Sequence, residues 1–180
     1  ALDKLLNGKT IEVPAPPAQM DEDRLAAFGY LQGLTAMAPA PLDLRDQETV
    51  TASHQRAASL VAQKRYTAAI DTLRGIAAKH PDLISVQYQV ALLLARTGRT
   101  DEAVKTFTAI GAQRPDAVEV PLQIAAVLLR ARREDDAATQ ADRAVMLAEA
   151  GMDPRLKAAA HELAARVALA REDAAAAQMH

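Results

Sequence analysis

Lys64-Arg65-Tyr66-Thr67-Ala68-Ala69-Ile70 runs through Leu73, Ile76 and Ala77 to His80-Pro81-Asp82. Gly98-Arg99-Thr100-Asp101-Glu102-Ala103-Val104 runs through Phe107, Ile110 and Gly111 to Arg114-Pro115-Asp116. The two stretches align without a gap: Gly98 stands 34 positions after Lys64, and Pro115 stands at the same offset from Pro81. Arg132-Arg133-Glu134-Asp135-Asp136-Ala137-Ala138 is a third copy in register, although Glu149 stands where the proline would fall. A fourth copy, shifted by a few residues, starts its turn at Arg171-Glu172-Asp173-Ala174. A fixed period of this length is the mark of stacked like units.

Each unit reads as two helices. Val86, Val90, Leu93 and Leu94 recur at helical spacing, as do Val120, Ile124, Val127 and Leu128. Pro81 and Pro115 stop helices, because the residue before a proline avoids the α region. Gly98 permits a tight turn between paired helices. Thr100 is expected to cap the helix that follows, with Asp101 and Glu102 meeting its positive end. Ala69, Ala103 and Ala137 stand where the second helix of a pair approaches the first. The pattern predicts helices near 47–63, 66–79, 83–97, 100–113, 117–131, 134–149, 154–170 and 173–179. Helices this short are marginal alone and need stacking to bury a shared seam.

Composition agrees. Apolar residues make up 50% of the 180, but aromatics only 3%. Alanine supplies about a quarter of the chain, against a usual share well below a tenth. Alanine is the best helix former, and β architectures want the branched and aromatic residues that are scarce here. With no cysteine there is no disulfide framework and no cysteine-based zinc site. A net charge of −2 provides no field for recruiting nucleic acid or an anionic membrane. Leu25 to Leu42 carries no charge, but the acidic Asp21, Glu22 and Asp23 precede it and Gly29, Gly33, Pro39 and Pro41 interrupt it, so neither a signal peptide nor a membrane span is expected.

The repeating pattern resembles the tetratricopeptide repeat (TPR) family over residues 47–180. Ala69 and Leu73 precede Pro81, Ala103 and Phe107 precede Pro115, and Ala137 and Ala141 stand in the third unit. The first half of the family pattern is degenerate. Its Trp position holds Ser53, Gln87 and Pro121; its Leu position holds Arg56, Val90 and Ile124; its Gly position holds Ala57, Ala91 and Ala125; its Tyr position holds Leu60, Leu94 and Leu128. The resemblance implies an all-α, superhelical solenoid of antiparallel helix pairs with an N-terminal arm. The division expected is an arm over 1–46, with a short helix near 21–31, and about three and a half repeats over 47–81, 82–115, 116–150 and 151–180. It also implies a concave groove lined by the first helix of each pair. By register the groove set is His54, Ala58 and Val61, then Tyr88, Leu92 and Arg96, then Leu122, Ala126 and Arg130. Such a surface would take an extended or helical peptide, with Tyr88 and Leu92 as apolar anchors and the arginines holding carboxylates. The Lys and Asn clamp of the chaperone-binding subgroup is absent, its positions holding His54, Ala58, Glu119 and Gln123.

The arm carries a second resemblance. Asp23-Arg24-Leu25-Ala26-Ala27-Phe28-Gly29-Tyr30-Leu31-Gln32-Gly33 is similar to the segment that follows the catalytic domain in TPR-fused bacterial sulfatase-like proteins. That implies a C-terminal accessory region of a larger hydrolase, whose nucleophile motif this chain lacks. Asp21 to Leu31 reads as an amphipathic helix with Leu25, Phe28 and Leu31 on one side, placed to cover the first edge of the solenoid or to dock on a neighbouring domain.

Chemistry is sparse. His54, His80, His161 and His180 lie far apart in sequence, and no nucleophile motif or phosphate-binding glycine loop occurs. Asp101/Glu102 and Asp135/Asp136 sit at helix starts, where the helix end explains them. Arg65, Arg99, Arg133 and Arg171 mark successive turns with acids close behind, a solvated mixed-charge edge. The expectation is a non-catalytic interaction or scaffold domain without cofactor or metal, and without nucleic-acid binding or membrane insertion. Its partner would be a protein or peptide, or the adjoining catalytic domain. The alternatives are self-association as a homo-oligomer, and a hydrolase fragment with activity of its own.

Overall fold

A computed structural model describes residues 44–178, with side chains over 48–172. The expected arm elements, including the helix near 21–31, lie outside the described residues. Seven α-helices follow one another there: α1 (Leu44–Ala62), α2 (Tyr66–Lys79), α3 (Ile84–Arg96), α4 (Thr100–Gln113), α5 (Glu119–Arg130), α6 (Glu134–Ala150) and α7 (Pro154–Gln178). Each packs on the next, and α5 also touches α7 past the intervening α6. The first helices of the last two pairs thus lie in contact with each other. This is an all-α, TPR-like helical solenoid.

The repeat is written into the backbone. Lys64, Gly98 and Arg132 all have positive φ, at 59°, 75° and 56°. They stand one repeat apart, and each closes a first helix by the same two bonds. In the first unit Arg65 N–H donates to the Leu60 carbonyl at 2.8 Å and Lys64 N–H to the Val61 carbonyl at 2.9 Å. The second unit repeats this with Arg99 to Leu94 at 2.9 Å and Gly98 to Ala95 at 3.3 Å. The third has Arg133 to Leu128 at 3.0 Å and Arg132 to Leu129 at 3.1 Å. Only the middle unit uses glycine at a place where L side chains are disfavoured. The second helices end alike too: His80 and Arg114, each before a proline, have φ/ψ of −130°/75° and −131°/74°.

The small-residue positions are deeply buried. Ala69, Ala103 and Ala137 are fully buried, and Ala57, Ala91 and Ala125 are at most 3% exposed. Leu60, Leu94 and Leu128 are buried beside them. The larger core residues thin out along the chain: Leu73 and Phe107 give way to Ala141, and Ile76 and Ile110 to Ala144. A separate small cluster of Val118, Ala144, Ala148 and Ala160 closes the C-terminal end.

Two local expectations need correction. Thr100 is the first residue of α4 and caps nothing; Arg99 holds the N-cap position, and no side chain caps the helix. Glu102 instead draws in Arg99 at 2.6 Å and Arg74 at 3.0 Å. The turn expected at Arg171 does not form, and α7 runs unbroken through it. No glycine or proline follows Pro154 in the sequence, and Ala174 to Ala177 are strong helix formers. Where the third unit lacks its proline, α6 continues to Ala150 and stops at Gly151.

The mixed-charge edge has a specific wiring between units. Arg133 bridges Asp136 of its own helix at 2.7 Å and Asp101 of the previous unit at 2.8 Å. Arg171 reaches Asp135 at 3.0 Å, the residue one repeat after Asp101. These side chains are largely exposed, so water screens each pair and its contribution is small. They add to a solenoid that packing already holds.

Candidate functional site

The residues expected to line a groove lie on α1, α3 and α5, all but Val61 in matching rows. His54, Tyr88 and Leu122 form one row, Ala58, Leu92 and Ala126 the next, and Arg96 and Arg130 end α3 and α5 at the same register. Leu92, Leu122, Ala126, Val61 and His54 are half-buried, while Ala58, Arg96 and Arg130 are exposed. The half-buried apolar members pack on the main core with one side. The result is an apolar strip with two cations at one rim.

Tyr88 does not stand in the strip as an open anchor. It is 3% exposed, and its ring meets Phe107 edge to face at 5.3 Å and 77°. Burial pushes its phenol well above the ordinary tyrosine range, with the Glu119 carboxylate adding to the shift and the Gln123 side chain opposing it. The hydroxyl is shut away from solvent; the Gln123 side chain approaches it but falls outside good hydrogen-bonding geometry. Register puts Tyr88 in one row with His54 and Leu122, and its ring is buried against Phe107 of the adjoining α4.

His54, one repeat earlier, shares that condition. Burial lowers its imidazole pKa below 6.5, outweighing a hydrogen bond to the Val50 backbone that favours the charged form. Nε2 is buried without a partner. The two unpartnered buried side-chain atoms among the described residues thus occupy positions one repeat apart, on α1 and α3. Such atoms are rare in folded proteins and costly.

Arg96 is engaged within the fold, its guanidinium lying 5.1 Å from the centroid of the Tyr66 ring on α2. This cation–π contact fixes the cation at the edge of the strip. Sequence reasoning missed an amide row beside the strip. Gln55, Gln89 and Gln123 recur at the repeat period, so the period itself was the available signal. Gln89 is 7% exposed, the buried polar residue of the core.

Other chemistry is thin. Among the described residues no three His, Cys, Asp or Glu side chains converge on a metal position, and no helix is long and apolar enough to cross a membrane. Glu149 gathers His161 at 2.9 Å and Lys157 at 3.2 Å, which hold its carboxyl below the ordinary range; all three are solvated. A depression of about 200 Å³ lies between α4, α5 and α6, bordered by Thr108, Ile124, Leu128 and the Arg133–Asp136 pair, and includes none of the groove set.

Residues 60–120 match the family model of the tetratricopeptide repeat. No curated protein matches the sequence. Three solved structures share the fold. PcrH, in complex with the chaperone binding region of PopD, is 13% identical with a TM-score of 0.59, covering 71% of this chain and 94% of that one. The type III secretion translocator chaperone SycD of Yersinia enterocolitica, in an alternative dimer, is 14% identical with a TM-score of 0.59, covering 69% and 96%. The TPR domain of P58(IPK) is 14% identical with a TM-score of 0.53, covering 86% of this chain and 39% of that one. The class defined by helix order, register and neighbours is a TPR-like helical solenoid.

Proposed function

We propose that the chain is a non-catalytic interaction module that takes a peptide segment of a partner protein along α1, α3 and α5. The observation that carries this reading is the row structure of that face. Leu92 and Ala126 stand one repeat apart, Leu122 stands one repeat after Tyr88 in the neighbouring row, and Val61 lies on α1; all but Tyr88 are half-buried, with Arg96 and Arg130 at one rim. Apolar side chains of a ligand would lie on the strip, and its carboxylates would meet the arginines. Tyr88 supports the floor from beneath and is not itself an anchor. The bound segment in the PcrH structure supports a peptide as the kind of ligand, since that protein shares the fold. Selection of a random displayed peptide library on the full chain tests the reading. Selected peptides should lose at least tenfold in affinity for an Arg96→Ala, Arg130→Ala chain and for Ala58→Glu, while the melting curve stays in place. Undiminished affinity in all of these variants sinks the assignment.

Two specific observations favour further readings. Met146 on α6, Met152 in the turn after it and Leu169 on α7, 73%, 97% and 60% exposed, favour self-association at the C-terminal end. Light scattering on a size-exclusion column tests this, and a strict monomer at high concentration counts against it. The Asp23–Gly33 segment favours a role as the accessory region of a sulfatase-like hydrolase. Reading the gene upstream of the Ala1 codon tests that, and the absence of a hydrolase domain there removes it.

A further inference from the structure

The strip on α1, α3 and α5 has a matching sequence within the same chain. Leu25, Phe28 and Leu31 recur every three residues, the spacing that puts apolar side chains on one side of a helix. Asp21, Glu22 and Asp23 precede them, with Arg24 between Asp23 and Leu25, so the stretch before the apolar set remains acidic on balance. The strip offers the complement, with Leu92, Leu122 and Ala126 half-buried and the cations Arg96 and Arg130 along one rim, at the C-terminal ends of α3 and α5. A segment running antiparallel to α3 and α5 would set its acidic start at that rim and its apolar face on the strip.

Distance allows it. Twelve residues separate Leu31 from Leu44, where α1 begins. Extended, they span up to about 40 Å. The 19 residues of α1 extend about 28 Å, and packed helices stand about 8–10 Å apart. Leu31 therefore reaches any point of the strip from the start of α1. A tether this short also holds the segment at an effective concentration near the millimolar range, so even weak intrinsic affinity fills the strip.

We infer that Asp21–Leu31 occupies the groove of α1, α3 and α5 in cis, as an autoinhibitory segment that an external peptide must displace. This rests on the groove being the peptide site. A segment with an intrinsic Kd of about 100 μM, at that effective concentration, would weaken an outside ligand about tenfold.

The chain has no cysteine, so a disulfide can be introduced on a clean background. Phe28→Cys is paired in turn with Ala58→Cys, Leu92→Cys and Ala126→Cys on the strip, and with Ala109→Cys on an exposed position of α4 as control. Bond formation in a glutathione redox buffer is read on non-reducing gels. A bond needs the two Cα atoms within about 7 Å, so at least one strip pair should cross-link within the monomer at least ten times faster than the control. Strip pairs no faster than the control overturn the inference, as do strip pairs that bond only between two chains, which assigns the groove to a second copy. A second measurement uses the full chain with Leu25→Glu and Phe28→Glu, probed with a fluorescein-labelled peptide of residues 19–33. This variant should bind the probe at least tenfold more tightly than the unaltered chain. Equal binding, or none to either, overturns cis occupation. Library peptides that still bind would then leave the groove reading intact, whereas failure of every peptide on both chains would remove that reading as well.

Discussion

Lys64 and Arg132 hold left-handed backbone with φ of 59° and 56°, at the register where the middle unit places Gly98. A non-glycine residue in that conformation costs about 1–2 kcal/mol. Glycine releases the strain but frees the unfolded chain, which returns about 0.4–1 kcal/mol. Lys64→Gly and Arg132→Gly should each stabilise the solenoid by about 0.5–1 kcal/mol, from the difference between those terms. Side-chain losses are small: Lys64 is exposed, and Arg132, 82% exposed, sits a loose 3.9 Å from Glu134. Gly98→Ala is the reciprocal test. A Cβ there would meet nothing within 4 Å, so its cost reports backbone conformation alone and should mirror the gain, about 0.5–1 kcal/mol of destabilisation. Urea unfolding followed by circular dichroism measures all three, with shifts in Tm of about 1–4 °C as a parallel reading. Two destabilising glycine variants together with a harmless Gly98→Ala would refute the shared turn geometry.

Ala103→Arg forces a large charged side chain into a fully buried helix contact, and should cost more than about 3 kcal/mol; an unchanged melting curve would show that the register is wrong. Tyr88→Ala should destabilise by about 3–5 kcal/mol as a buried aromatic truncation, whereas Tyr88→Phe, which removes a hydroxyl without a partner, should be neutral or stabilising; a Tyr88→Phe chain that melts well below the parent contradicts the unpartnered state. The folded-state pKa of His54 is depressed below 6.5, so the unfolded chain binds the extra proton first and stability falls as pH drops through 6.5. Glu102 and Glu149, depressed below 4.5, contribute stability above that value that is lost at lower pH. His54→Gln should flatten the upper step in a series of urea midpoints and leave the lower one, and an unaltered upper step would assign it to another group.

The repeat was legible because its period is carried by residues with strict local demands. Ala69, Ala103 and Ala137 marked the packing register, Pro81 and Pro115 marked helix ends, and Gly98 marked the turn. The same turn at Lys64 and Arg132 was legible only by counting one period either way from Gly98, since their side chains argue against it. Thr100 misled because a hydroxyl before two acids looks like a cap; here Arg99 occupies that position and Glu102 is bound by arginines from two units. Arg171-Glu172-Asp173-Ala174 misled because it resembles a turn start without a residue able to break the helix. In the candidate site, register found the rows but not their depth. Tyr88 is buried by Phe107, and the guanidinium of Arg96 is held over Tyr66, contacts between residues well separated in sequence. Pairs such as Arg133–Asp101 and Arg171–Asp135 depend on how units stack, which no single repeat encodes.

The central claim is that the inner face of the first helices receives a peptide. Two-dimensional amide NMR of the full chain, titrated with a library-selected peptide, tests it most directly. The account predicts shifts concentrated at His54, Val61, Leu92, Leu122, Ala126 and Arg130, with Lys105, Ala109, Thr139 and Arg143 on α4 and α6 unmoved. Shifts centred on those α4 and α6 residues, with α1, α3 and α5 unchanged, would contradict it.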